Sequence, residues 1–82
     1  MLDDLTEIPG IGKKLSDDLN RLGIRKISDL KNKDPQNLYG RMCRMEGKSV
    51  DRCVLYVFRC AVYYASNNSH DKRLLKWWNW KD

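Results

Sequence analysis

The sequence predicts an all-α fold of about five short helices, arranged as tandem units on a central helix in the C-terminal half. Three observations lead there. Leu15, Leu19 and Leu22 recur at i, i+4 and i+7, the spacing of an amphipathic helix. Residues from Val50 to about Ala65 are apolar on most sides, as in a helix at the centre of a core. Pro9-Gly10, Gly23, Pro35 and Gly47 mark breaks between the helices of the first half, and strict two-residue alternation is absent.

The elements follow in order. Leu2 and Leu5 begin a short helix that stops before Pro9, because the residue preceding a proline avoids helical geometry. Pro9-Gly10-Ile11-Gly12 is a tight turn. The Leu15–Leu22 helix ends at Gly23, placed for a left-handed cap. A second short helix holds Ile27 and Leu30 inward. Asp34-Pro35 then starts a new helix, with Asp as N-cap and Pro at the first helical position. Leu38, Met42 and Met45 form its inward stripe, and Gly47 ends it. In the apolar segment Val50, Val54, Val57, Ala61 and Ala65 mark one stripe, while Leu55, Phe58, Val62, Tyr63 and Tyr64 cover other sides. Its β-branched residues also suit a strand, but its length favours helix. Ser66-Asn67-Asn68-Ser69 is a break. Leu74, Trp77 and Trp78 suggest a final short helix packing back on the core.

Eighty-two residues make one domain, and a chain this short buries only about 60% of its unfolded surface. Three cysteines, an odd and sparse set, fit a reducing compartment. The opening residues MLDDLTEIPG hold no apolar run or basic leader, and no stretch nears the roughly 20 apolar residues of a membrane span. A cytoplasmic protein with no membrane association, and a monomer, is expected. Sixteen basic residues against 11 acidic give a net charge of +5. The basic excess begins after residue 12: Lys13, Lys14, Arg21, Arg25, Lys26, Lys31 and Lys33 face only Asp17, Asp18 and Asp29 over residues 13–33. Such local charge attracts polyanions.

The run Ile8-Pro9-Gly10-Ile11-Gly12-Lys13-Lys14 carries the chemistry. A glycine turn feeding a helix leaves backbone N–H groups aimed outward, and the helix dipole adds positive potential there. Without a Cβ, a phosphate can approach the backbone. Lys13 and Lys14 oppose the dipole in the first turn, and Asp17 and Asp18, four residues on, stand in the less favourable pairing order. A local rule broken at a glycine turn points to a site. The competing reading is a pair of merely solvated lysines.

Leu5-x-x-Ile8-Pro9-Gly10-Ile11-Gly12, followed by Leu15, Ser16 and Leu19, resembles the helix-hairpin-helix motif of DNA repair and recombination proteins. The resemblance implies a DNA phosphate held by the hairpin amides and nearby lysines, at Gly10, Ile11, Gly12, Lys13, Lys14 and Leu15. It also implies a possible monovalent cation on the carbonyls of Thr6, Ile8 and Ile11, and no other cofactor. Ser16 stands where the motif usually has alanine. Leu22-Gly23-Ile24 with Ile27-Ser28-Asp29-Leu30 is similar to the second unit of paired motifs, though its turn lacks glycines. Over nearly its whole length the chain resembles the pathogenicity-locus family of small helix-hairpin-helix proteins, with Asp51–Tyr64 the distinctive stretch. That gives one domain over 1–82: a hairpin unit at 1–23, a degenerate second unit at 24–47, a core helix at 50–66 and a final helix at 70–82. The implied function is non-catalytic, sequence-independent binding of nucleic-acid backbone, DNA in the first instance, with the choice between DNA and RNA left open. The alternative is a protein-interaction module that docks on a larger DNA-processing enzyme.

Secondary contacts are sought at Arg52, Arg59, Lys76, Trp80 and Lys81. The two arginines, seven apart, either reach a second phosphate or pair with Asp3, Asp4 or Glu7. Trp80 with Lys76 and Lys81 offers a stacking platform for bases; the other reading of the tail is core filling, favoured for Trp77 and Trp78. Catalytic residues are not expected, for no nucleophile stands with a base. His70 reads as a surface residue at a helix start. Cys43, Cys53 and Cys60 lack a C-x-x-C pair and read as buried structural cysteines, so no metal is expected. The purified protein should therefore keep its helical circular dichroism in strong chelator; a large loss restored by zinc would overturn this.

Overall fold

A computed structural model describes residues 5–81. Among them lie three α-helices and four single-turn 3-10 helices, and no strand. The α-helices are α1 (Lys13–Arg21), α2 (Pro35–Glu46) and α3 (Arg52–Ser66). The 3-10 turns are Leu5–Glu7, Ile27–Leu30, Lys72–Leu75 and Trp77–Trp80. The all-helical expectation holds. The count differs: among the described residues the segments expected as a first and a second helix form one 3-10 turn each, and the final segment forms two, divided at Lys76 in extended backbone. Leu2, Asp3, Asp4 and Asp82 lie outside the described residues.

The helix ends obey local chemistry. The Asp34 carboxylate accepts the Gln36 amide at 2.9 Å, with Pro35 at the first helical position. The Asp51 carboxylate accepts the Cys53 amide at 2.8 Å, which starts α3 two residues after Val50. Gly23 (φ 92°) and Gly47 (φ 71°) take the left-handed conformation that closes α1 and α2. At Gly23 the amide bonds the Asn20 carbonyl while the Ile24 amide reaches back to Leu19, and both Leu19 and Ile24 are buried.

The core gathers on α3. Phe58 and Ala61 have no exposed surface, and Leu5, Ile8, Ile11, Leu19, Ile24, Leu30, Leu38 and Met42 close around them. Helix α2 packs along α3, as do the Ile27–Leu30 turn and both C-terminal turns. Asn32 turns with φ 62°, and its amide donates to Ser66 Oγ at 3.0 Å, tying that loop to the end of α3.

The tail is fastened polar group by polar group. Arg59 donates to the Trp80 carbonyl at 2.7 Å, and Trp80 Nε1 donates to the Leu74 carbonyl at 2.8 Å. His70 is half-buried, stacked on Tyr64 with ring centroids 4.5 Å apart. The helix start that the sequence assigned to His70 belongs to Asp71, whose carboxylate accepts the Arg73 amide. Trp77 packs on the core, as expected. Trp78 does not: it is 50% exposed, because a 3-10 turn points successive side chains about 120° apart and only one of two neighbours can face α3.

Gly10 (φ 91°) meets that tail. A Cβ there would lie 2.9 Å from Trp77 Cδ1 and 3.5 Å from Val57 Cγ1. Gly10→Ala should cost more than ~1 kcal/mol, combining a left-handed backbone with a steric clash; denaturant unfolding measures it, and an unchanged midpoint would contradict the packing. Acid gives a second test. The Cys53 amide holds the Asp51 carboxyl below its ordinary value. A depressed folded pKa means that the cap's stabilisation is complete above the unfolded value, about 3.9, and is lost as pH falls through the folded one. Asp51→Asn should therefore flatten the fall in melting temperature below about pH 4.

Candidate nucleic-acid interface

The turn from Ile8 to Gly12 is held from within. Ile8 N–H donates to the Leu5 carbonyl at 3.1 Å and Ile11 N–H to the Ile8 carbonyl at 3.0 Å. Ile8 and Ile11 are buried, so the turn stands on the core by its two isoleucines. The Ile11 amide is thus engaged inside the hairpin and cannot point at a ligand, although the sequence placed it in the binding set. Its neighbours differ. Gly12 caps α1 in extended backbone (φ −93°, ψ −175°), no side chain caps the helix, and a Cβ on Gly12 would meet nothing within 4 Å. The amides of Lys13, Lys14 and Leu15 find no acceptor among the described residues. Unpaired N–H groups at a helix start are a ready anion site.

Helices α2 and α3 bring an aspartate to this position and α1 brings a glycine. Lys13 and Lys14 flank it, their side chains 89% exposed. Lys13 Nζ lies 3.9 Å from Asp17 and Lys14 Nζ 3.8 Å from Asp18, so the pairing foreseen from the spacing forms. The Lys13–Asp17 pair, exposed on both sides, is worth less than about 1 kcal/mol, and a polyanion can displace it; in the other pair only the lysine is exposed. Leu15 is half-buried against the core and offers its amide alone. Of the carbonyls assigned to a monovalent cation, that of Ile8 already accepts the Ile11 amide. Thr6 is exposed and Ile11 buried.

The secondary contacts fall on another side. Arg52 and Arg59 both lie over the Tyr56 ring, at 6.0 and 5.7 Å, and Arg59 also binds the Trp80 carbonyl. Their suggested pairing with Asp3 or Asp4 lies outside the described residues. Trp80 is half-buried against Tyr63, 5.6 Å between centroids, with its Nε1 engaged. Lys76 and Lys81 are exposed, and the half-exposed ring of this segment is Trp78 rather than Trp80. Cys60 is buried with its Sγ 3.5 Å from the Leu74 carbonyl, and burial pushes its thiol pKa up. Cys43 and Cys53 are only half-buried, so the expectation that all three are core residues holds for Cys60 alone. No group of three or more metal-ligating side chains converges among the described residues.

One residue escaped notice in the sequence except as a partner for Lys14. Asp18 stands with Leu15 and Leu22 at i, i+3 and i+7, on the apolar face of α1, and is buried. That register was readable. It lines a cleft between α1 and the α2–α3 junction.

Comparison with known proteins places the chain. Residues 1–82 match the family described as pathogenicity locus. Over 59 residues, 72% of this chain, it is 36% identical to the mitomycin resistance protein McrB of Streptomyces lavendulae. The chain spans 56% of that relative's length. No solved structure matches. With the match running over its whole length, the chain belongs to the Cdd1 pathogenicity-locus family.

Proposed function

We propose that this protein binds nucleic-acid backbone, DNA in the first instance, through a helix-hairpin-helix turn at residues 8–15, without reading sequence and without catalysis. The observation that carries the reading is the uncapped start of α1: free amides at Lys13, Lys14 and Leu15, open space over Gly12, and two exposed lysines. Amides and lysines meet phosphates and leave base edges unread.

A repeat in the turn geometry supports it. The second turn repeats the first with a constant offset of 22 positions. Leu30 accepts the Lys33 amide at 3.1 Å as Ile8 accepts that of Ile11. Asn32 takes positive φ as Gly10 does, and Asp34 caps α2 where Gly12 caps α1. The second copy has lost the anion site, since Asp34 puts a carboxylate on the free amide and Pro35 has no N–H. A single working hairpin predicts weak affinity and a modest salt slope, about 0.9 for each phosphate it contacts. A docking role on another protein is favoured by one observation, the half-exposed Trp78 ring in the segment of Lys76 and Lys81.

Gly12→Asp tests the hairpin directly. Aspartate suits an N-cap, so the variant should gain a few tenths of a kcal/mol in stability while losing duplex binding. Lys13→Ala with Lys14→Ala should weaken all duplexes alike and reduce the log–log salt slope by about 0.9 per lost contact. Amide NMR with a short duplex reads both. Shifts confined to residues 72–81 would move the working surface to the tail, and no shift at all would end the nucleic-acid reading.

A further inference from the structure

We infer that the cleft between α1 and the α2–α3 junction is a binding site for a small organic cation, an ammonium or amidinium on a compact apolar body, received by the carboxylate of Asp18. The cleft has a volume of about 400 Å³, within the range of small-molecule sites. Leu15, Met42, Val50 and Val54 give it apolar walls. Asp18 reaches it from α1 with a side chain only 8% exposed.

The carboxylate is incompletely satisfied. Its Oδ2 is buried and accepts no hydrogen bond among the described residues. Two cations stand near: Lys14 Nζ is 3.8 Å from Oδ2, and Arg21 is 3.6 Å from Oδ1. Both separations exceed those of an N–H···O hydrogen bond, about 2.7–3.2 Å. A buried acceptor left without a donor carries a desolvation cost, and a donor that reaches it recovers that cost. Arg21 is shared with Glu46, 3.7 Å away, and the Lys14 side chain is almost wholly in solvent.

The charge around the cleft selects the sign of the ligand. Three carboxylates line it, Asp18, Glu46 and Asp51, against two ammonium groups, Lys14 and Lys48. Asp51 is committed to the Cys53 amide. A ligand ammonium or amidinium would take the place of Lys14 at Oδ2 and bring its own apolar surface to the walls. This site is separate from the phosphate reading, and Lys14 joins them with opposite signs: it assists a phosphate and competes with a cation.

Benzamidine is the probe and benzamide its neutral control, followed by amide NMR on the full chain. Saturable shifts centred on residues 14–18 and 48–54 are expected with benzamidine and not with benzamide. Asp18→Asn should weaken benzamidine binding about tenfold, the loss of one charged hydrogen bond. Lys14→Ala removes the competitor and should tighten benzamidine while weakening duplex DNA. The proposal is overturned if both probes shift the same residues equally, if neither does, or if a folded Asp18→Asn binds as well as the parent. Should Asp18→Asn fail to fold, Lys14→Ala decides: tighter amidine binding supports the site, and unchanged or weaker binding overturns it. Loss of DNA binding in that variant reports on the hairpin alone.

Discussion

Burial of α3 is the constraint from which the rest of the architecture follows. In a chain of 82 residues there is material for one core only, and the longest apolar helix must be its axis. Phe58 and Ala61 are completely enclosed, which requires neighbours on every side. Helix α2 covers one flank, the Ile27–Leu30 turn another, and the tryptophan tail a third. Most of these covering elements are too short to be stable alone. They persist because each contributes one or two apolar residues to α3 and fixes its backbone by a few specific hydrogen bonds, such as those of Arg59 and Trp80.

This arrangement also explains why the two glycines of the first turn have different tasks. Gly10 faces inward to Trp77 and Val57, and its lack of a Cβ lets the turn approach the core. Gly12 faces open space, and its lack of a side chain leaves the start of α1 uncapped. One glycine serves packing and the next serves exposure. Because Ile8 and Ile11 are buried beside them, the turn is a rigid platform rather than a loose loop, and the amides of Lys13, Lys14 and Leu15 keep a fixed direction. Fixed donors meet an anion without an ordering cost, which flexible lysines alone would incur.

Helix α1 is therefore polar in two unlike ways. Its first turn carries amides and lysines suited to an anion, and one turn on, its buried face carries Asp18 in a cleft lined by three carboxylates. A single turn of helix divides the two, with Lys14 paired across it to Asp18.

The sequence alone determined what depends on neighbouring residues. The caps at Asp34, Gly23 and Gly47 follow from backbone conformations that few residues tolerate and from carboxylates reaching amides two positions on. The central helix was legible because its apolar residues cover most of its sides. The tertiary structure decided what depends on distant residues. Whether Trp77 or Trp78 faced inward turned on a single-turn 3-10 helix rather than an α-helix, a difference too short for periodicity to register. Cys43 and Cys53 were left half-buried by the limited cover of a small core. His70 found its role by stacking on Tyr64. The burial of Asp18 was written in the helical register, but its unsatisfied oxygen and the cleft before it arise only where α1 meets the α2–α3 junction, because a cavity belongs to surfaces brought together by folding and to no single stretch of chain.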